Sequence, residues 1–465
     1  MSHVLWRASA RLVVLSSVSL AGCAGGGATP AAAGGARSPM AATIDSIAES
    51  RLKTGKVAGM SIGVMRGSDT IVMKGYGMAD LELDVPTPPH AIYEIGSVTK
   101  QFTAASILLL RDAGKLSLDD DIHKFLPDYP TQGHTITVRR LLDHTSGIKG
   151  YTELPGFGAI VSRHLPKDSL LAMFKNVKFD FSTGDAMVYN NSAYFLAGMI
   201  IEKLSGMSYG DYVKQNLFDK VGMSDSRYCS ESAIMKRKVK GYDMNPDSTL
   251  KLKGFLDHTY PFSAGSLCSS VSDLVAWNRA LHNGRVLSAP SYTDLTTPGT
   301  LNDGTTLRYA KGLSLRTVGG HRLIEHGGGI NGFLSASHYY PDDSLTVVVL
   351  LNTAGIVAPD KLANDIALAM LGRKPEVDEP FAGDMAALSG TYSGVGRGSP
   401  MVVTISVDGK NLMVKTEGDS AKRLRFVGNG TWELDEQHLR FVPGKGGMQL
   451  KVDQTYGYSV LGRKG

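Results

Sequence analysis

Runs of apolar residues divide the chain into regions of different period. Residues 57–65 and 70–76 are apolar and rich in β-branched side chains, and Arg66-Gly67-Ser68-Asp69 separates them, so a hairpin is predicted. Between residues 97 and 113 the pattern turns helical: Phe102, Ala104, Ala105, Ile107, Leu108, Leu109 and Leu110 are apolar nearly all round, and Gly114 stops the run. A helix of that kind is buried. Further helices are predicted in the middle of the chain, including 193–204 and 272–281, where Trp277 reads as a packing residue. Strand patterns return at 312–318, 322–325, 334–340 and 345–351, and a helix follows at 360–371. Strands first, helices next and strands last imply an α+β architecture: one antiparallel sheet closed by both ends of the segment, with a helical subdomain inserted.

Residues 372–380, Gly-Arg-Lys-Pro-Glu-Val-Asp-Glu-Pro, break the pattern as a charged, Pro-punctuated linker. Beyond them lie short alternating runs such as Met401-Val402-Val403-Thr404-Ile405-Ser406, with turn residues every ten or so positions. They predict a small all-β module, sandwich or barrel, with Trp432 in its core. The resulting division is 1–22 export signal, 23–40 flexible linker, 41–373 α+β domain, 374–380 linker and 381–465 β module. A length of 465 residues suits two or three folding units. The net charge of +5 is small and its Lys and Arg are scattered, which argues against a nucleic-acid partner.

Arg7 and Arg11 precede an apolar stretch, 12–21, that is too short to span a bilayer, the pattern of a signal peptide. It ends Leu20-Ala21-Gly22-Cys23, which resembles the lipobox of bacterial lipoproteins. That resemblance implies lipidation of Cys23, membrane attachment and a periplasmic or cell-envelope location, whereas an ordinary cleavable signal containing a Cys is the alternative. Residues 24–40 are rich in Gly, Ala and Pro, as a tether is. Cys229 and Cys268 remain, either as a disulfide in an oxidising compartment or as two separate buried thiols. No Cys/His cluster has zinc spacing, so no metal or other cofactor is expected.

A Ser followed three residues later by a Lys places both on one helical face, where the amine can hold or move the hydroxyl proton. The pairs Ser97/Lys100, Ser146/Lys149 and Ser248/Lys251 have this spacing, but only the first opens a long buried helix, with the hydroxyl at the positive end of its dipole. Tyr189-Asn190-Asn191 follows just before a predicted helix, and His326-Gly327-Gly328-Gly329 is placed at the end of a strand.

This ordered trio, Ser-x-x-Lys, Tyr-x-Asn and a Lys/His-x-Gly strand motif, resembles the serine β-lactamase and penicillin-binding-protein superfamily over roughly residues 45–372. With Tyr in the second motif, the chain is similar to the branch of class C β-lactamases, D-alanyl-D-alanine carboxypeptidases, D-aminopeptidases and β-lactamase-fold esterases. The phrases Leu141-Leu142-Asp143-His144-Thr145-Ser146-Gly147, Ala264-Gly265-Ser266-Leu267 and Ser272-Asp273-Leu274 match the same branch. The resemblance implies a β-lactamase/transpeptidase-like fold and a serine hydrolase acting on a small-molecule or peptide substrate. Ser97 is then the nucleophile of an acyl-enzyme, with Tyr189 or Lys100 as its base. A phenolate base requires the Tyr189 pKa to fall by about 3 units, roughly 4 kcal/mol, which one cation at about 4 Å in an effective dielectric near 20 supplies. By the same resemblance, the amides of Ser97 and Gly329 are expected to form the oxyanion site. Gly327 and Gly328 leave room for substrate along the strand, and Asn191 either orients Lys100 and the substrate or caps the next helix. His326 stands where many true β-lactamases have Lys. A pH-dependent partner for a substrate carboxylate favours esterase, D-peptidase or amidase action over efficient β-lactam hydrolysis.

Two rival readings are weighed against this one. Gly59-Met60-Ser61-Ile62-Gly63 matches the Gly-x-Ser-x-Gly elbow of α/β-hydrolases, but it sits inside a predicted strand rather than between a strand and a helix. The other rival is a non-catalytic lipoprotein that uses the same fold as a binding or sensor module, which the filled catalytic positions oppose. His144 reads as a structural loop residue near the cleft rim, and His282-Asn283-Gly284 as a helix end.

Overall fold

The structure is a computed structural model that describes residues 38–375, 378–396, 399–434, 437–444 and 446–464. The signal, Cys23 and most of the 23–40 tether lie outside the described residues, as does part of the 374–380 linker. Among the described residues no helix is long and apolar enough to cross a membrane.

A helix not anticipated from the sequence comes first: α1 (Pro39–Gly55), capped by the Ser38 side chain and with Pro at its first turn. The predicted hairpin follows as β1 (Gly59–Arg66) and β2 (Asp69–Asp80). A 3₁₀ turn, Gly96–Val98, then leads into α2 (Thr99–Asp112), in which all but a few side chains are buried. The middle of the chain supplies α3 (Asn191–Ser205), the short α4 (Phe262–Gly265) and α5 (Val271–His282). The chain returns to the sheet as β3 (Ser314–Val318), β4 (His321–Ile330), β5 (Phe333–Tyr340) and β6 (Leu345–Leu351), followed by α6 (Pro359–Leu371).

These strands form one antiparallel sheet in the order β3-β4-β5-β6-β1-β2, with the short strand Val85–Pro86 at its edge. Its first strand thus pairs with its last, and the N-terminal hairpin completes the sheet, as the strand–helix–strand order predicts. β6 is buried along its whole length, and its alternate residues enter different cores. Leu345, Val347, Val349 and Leu351 pack with Ile44 of α1 and with Leu362 and Ile366 of α6, whereas Val348 and Leu350 join Phe102 and Trp277 on the helical side. A period of two sorts one strand into two cores, so the sheet is sandwiched. Trp277 packs against Phe102 at 4.2 Å, and its indole nitrogen donates to Gln101 at 2.7 Å. Cys229 and Cys268 are joined in a disulfide with a Cα–Cα distance of 5.2 Å, which decides between the two readings of these residues.

The C-terminal region is all-β, running from Gly390–Gly396 to Gly457–Arg463. The two end strands of its sheet, Lys422–Arg423 and Arg425–Phe426, are separated only by the buried Leu424, so the sheet curls towards closure as a barrel-like body. Trp432 lies in its core against Phe381 at 4.9 Å, as expected. The last strand, Gly457–Arg463, also pairs with Met187–Val188, through Gly457 with Val188 and Tyr458 with Met187. That contact ties the C-terminal region to the segment delivering Tyr189.

Candidate active site

Ser97 sits in the 3₁₀ turn ahead of α2, half-buried, while Lys100 one turn later is fully buried. Lys100 Nζ lies 3.0 Å from Ser97 Oγ, 2.8 Å from Asn191 Oδ1 and 2.8 Å from the Ala264 carbonyl. All three partners are uncharged. Burial without a carboxylate holds the Lys100 pKa well below its ordinary value. Two of the partners are oxygens that only accept, and the third is a hydroxyl able to donate, so a neutral amine satisfies all three contacts.

Asn190 and Asn191 divide the two roles left open for this motif. The Asn190 side chain caps α3 by accepting from Ala193 N at 2.9 Å, which frees Asn191 to hold Lys100. The Tyr189 ring lies beside the same amine, with Lys100 Nζ 4.7 Å from its centroid. His144 packs behind it at 4.4 Å, and its ring nitrogen accepts from Asn190 N at 3.3 Å. His144 is therefore fully buried structural support rather than a rim residue.

β4 does not stop at His326 as expected. It runs on through Gly327, Gly328 and Gly329 to Ile330, paired throughout with β5. Its other neighbour, β3, pairs only as far as Glu325, so the glycine half of β4 has an open edge. Gly327 N–H points out of that edge, since it donates to the Tyr456 hydroxyl at 3.2 Å. Backbone amides alternate along an antiparallel strand, which puts Gly329 N–H on the same edge. Ser97 lines the cavity on this side together with Gly327, Gly328 and Gly329.

Gly328 does not serve the purpose expected of it. A Cβ there would lie 2.1 Å from the Ile95 carbonyl and 2.3 Å from Ser335 Oγ, so its bare backbone lets β4 pack against the Ser97 turn, not against substrate. Gly96 meets it from the other side, with φ +50 and its own Cβ position 2.9 Å from Gly329 N.

His326 also departs from expectation. It is buried, with Nδ1 2.6 Å from the Gly327 carbonyl and Nε2 2.9 Å from the Tyr309 hydroxyl. Nδ1 must carry the proton to donate to a carbonyl, and Nε2 then accepts from Tyr309. Burial, with the nearby Lys100 as a lesser cause, pushes its pKa down to about 3. His326 is a neutral structural partner of Tyr309 at physiological pH, not a titrating carboxylate receptor.

Two cavities meet at Ser97. One, of about 490 Å3, is lined by Tyr189, His326 and the glycines of β4, with Arg316, Glu325 and Tyr456. The other, of about 330 Å3, is walled by Tyr151, Phe157, Val161, Leu256, Tyr260 and Ile330. Three sequence stretches thus converge on a hydroxyl open to solvent.

The Beta-lactamase family model matches residues 44–370. The chain belongs to that family. It is 30% identical over 302 residues to penicillin-binding protein 4* of Bacillus subtilis (strain 168), covering 62% of this chain and 66% of that protein. It is 26% identical over 338 residues to a D-aminopeptidase of Gluconobacter oxydans (strain 621H), covering 72% and 62%. Less than two thirds of either relative is therefore spanned. The octameric penicillin-binding protein homologue from Pyrococcus abyssi superposes with a TM-score of 0.64 at 24% identity, over 90% of this chain and 99% of that one, a likeness of fold. The chain accordingly has the β-lactamase fold.

The competing serines occupy other settings. Ser61 is fully buried within β1, its hydroxyl 2.9 Å from that of Tyr93. Ser146 is buried and its Lys149 pairs with Asp180 at 2.9 Å, while Ser248 lies in a turn with φ +65. Tyr309, Tyr456 and the Ala264 carbonyl escaped sequence reasoning. Only Ala264 carried a signal, through the Ala264-Gly265-Ser266-Leu267 phrase. Two clusters among the described residues gather His and carboxylate atoms within 4.8 Å, Glu94/Glu231/His258 and Glu325/His338/Asp360. Each already holds a protein cation: Lys253 is 2.5 Å from Glu94, and Arg316 is 3.2 Å from Glu325 and 2.5 Å from Asp360.

Proposed function

We propose that this chain is an exported serine hydrolase that forms an acyl-enzyme on Ser97 and cleaves amide or ester bonds of substrates with an apolar acyl group. The observation that carries the reading is the 3.0 Å contact between Ser97 Oγ and the buried, counterion-free Lys100 amine. A neutral Lys100 takes the hydroxyl proton as Ser97 Oγ bonds to the substrate carbonyl carbon. The amides of Ser97 and Gly329 receive the oxyanion. Lys100 is fully buried and lines neither cavity, so its proton reaches the departing nitrogen or oxygen through Tyr189, which does line one. The bond to the leaving group breaks, the protonated leaving group departs, and water then cleaves the Ser97 ester by the same route.

Because Tyr189 lines the 490 Å3 cavity and not the other, the leaving group occupies the former and the acyl group the aromatic 330 Å3 pocket. Similarity to a D-aminopeptidase supports an amide substrate built on a D-amino acid. Export is supported by the signal pattern of residues 1–22, and the Cys229–Cys268 disulfide fits an oxidising compartment. Cys23 is the proposed lipid attachment point.

The test is labelling of the soluble chain beginning after Cys23 with a fluorophosphonate probe, alongside turnover of p-nitrophenyl acetate, nitrocefin and D-Ala-containing peptides. Ser97→Ala is expected to abolish labelling and turnover, and Ser61→Ala to retain both. Labelling that survives in Ser97→Ala overturns the assignment, and a folded protein that turns over none of the three substrates points to the binding-module alternative.

A further inference from the structure

The C-terminal region reaches the catalytic cleft. Strands Gly447–Gln454 and Gly457–Arg463 are joined by a tight turn, and the second docks beside Met187–Val188 immediately before Tyr189. This docking carries the turn residue Tyr456 into the cleft, its ring 5.4 Å from that of Tyr189 and 5.6 Å from that of His326. Its hydroxyl accepts from Gly327 N–H, two residues along the open edge of β4 from the oxyanion amide of Gly329.

We propose that Tyr456 is a specificity-determining residue that closes the leaving-group side of the cleft, restricting the enzyme to small leaving groups without a carboxylate. The inference rests on the Ser97 acyl-enzyme reading, which fixes the side on which the leaving group lies. Three observations support it. First, an extended leaving group running along β4 needs Gly327 N–H, and Tyr456 already occupies that donor. Second, a leaving-group carboxylate finds no cation to receive it. Arg316 is the one cationic side chain among the described lining residues, it is held between Glu325 and Asp360, and His326 is neutral. A carboxylate leaving water without a partner is disfavoured. Third, space opens again behind the ring: a cleft of about 1270 Å3 between the β3–β4/α6 side of the domain and the C-terminal region shares Asp360, Thr455 and Tyr456 with the catalytic cavity. Tyr456 and its turn are the partition between the two.

The experiment uses the full chain and three esters with the same acyl group: phenyl, 4-carboxyphenyl and biphenyl-4-yl phenylacetate. The readout is the ratio of kcat/KM values within each enzyme, which a general loss of activity does not move. The wild type is expected to favour the phenyl ester at least tenfold over both others. Tyr456→Ala, which joins the two spaces, brings the phenyl-to-biphenyl ratio below threefold, while Tyr456→Phe, which keeps the ring, retains it. A wild-type ratio near one, or the wild-type preference preserved in Tyr456→Ala, overturns the proposal. Should Tyr456→Ala fail to fold, the wild-type ratios and Tyr456→Phe decide it alone. Ser97→Ala runs alongside: hydrolysis that persists there, or absence of Ser97-dependent hydrolysis in the wild type, overturns the acyl-enzyme reading itself, whereas unmoved ratios with Ser97-dependent turnover overturn only the role of Tyr456.

Discussion

Adding one methyl group at Gly328 should do more damage than adding one at Gly327, although Gly327 lies beside the leaving-group cavity. At Gly328 the new Cβ falls 2.1 Å from the Ile95 carbonyl oxygen and 2.3 Å from Ser335 Oγ. Ser335 itself donates to that carbonyl at 2.8 Å, so the oxygen is held in place. Restoring an ordinary contact requires β4 and the Ile95 backbone to separate by about 1 Å, and Ile95 is two residues from Ser97. The displacement falls on the distance between the nucleophile turn and the Gly329 amide. A misplacement of about 1 Å costs on the order of 10²-fold in rate, close to the loss of one oxyanion donor, or about 3 kcal/mol. Overpacking adds about 1–3 kcal/mol of lost stability. At Gly327 the added Cβ meets the Tyr456 hydroxyl at 3.5 Å and the Ser335 carbonyl oxygen at 3.6 Å, both ordinary contacts. The assay is kcat/KM for p-nitrophenyl acetate on both variants, with thermal melting to show that each is folded. Gly328→Ala is expected to lose roughly 10²-fold and Gly327→Ala less than tenfold. A folded Gly328→Ala within threefold of wild type would refute the argument, because the turn and the strand would then not be rigidly apposed.

Three further outcomes are expected. If Lys100 is the base, its protonation removes it, so kcat/KM for a neutral ester should fall on the acid side as that group titrates below its ordinary range, and His326→Gln should leave the midpoint of this limb unmoved because burial holds the His326 pKa near 3. His326 also bears on stability: with a folded pKa of about 3 against an ordinary 6.5, the unfolded chain takes up the proton first. Stability is therefore full above pH 6.5 and lost as pH falls towards 3, by about 2 kcal/mol at pH 5, and urea midpoints at pH 5 and 8 should show His326→Gln losing less on acidification than the wild type. The Cys229–Cys268 bond closes a loop with a sequence separation of 39, for which chain entropy gives about 4 kcal/mol, so a Cys229→Ala/Cys268→Ala chain should melt several degrees lower than the oxidised protein by calorimetry.

The sequence disclosed most where one period ruled a long segment. The hairpin, α2 and α3 were legible because their apolar positions repeat without interruption. α1 was hidden because residues 24–43 are continuously rich in Ala, Gly and Pro, so its cap, Ser38, blends into the tether. The far half of β4 was hidden for a different reason: three successive glycines have poor strand propensity and no side-chain alternation. Pairing with β5 imposes the extended form that local preference does not. In the site, motif spacing brought Ser97, Lys100, Tyr189 and Asn191 into view, since they lie on or beside helix starts where neighbours in sequence are neighbours in space. Tyr456 had no such signal. It occupies a turn far along the chain, and only the pairing of Gly457 and Tyr458 with Met187–Val188 brings it to the cleft.

The same packing disfavours the charged form of both basic side chains in the site, Lys100 and His326. Burying an ammonium costs several kcal/mol, and a paired carboxylate is the usual compensation. Lys100 has instead two carbonyl oxygens and a hydroxyl, and charging the amine strengthens each such hydrogen bond by only about 1 kcal/mol. That sum falls short of a carboxylate's contribution, so the Lys100 pKa stays well below its ordinary value. His326 is kept neutral by its burial first of all, and protonation would also leave Nε2 and the Tyr309 hydroxyl as two donors facing each other unless Tyr309 turned away. A carboxylate introduced beside Lys100, as by Asn191→Asp, would reverse the balance by stabilising the ammonium. It should shift the acid limb of kcat/KM to higher pH while leaving the nucleophile in place, a result that loss of Asn191 as a mere structural support would not produce.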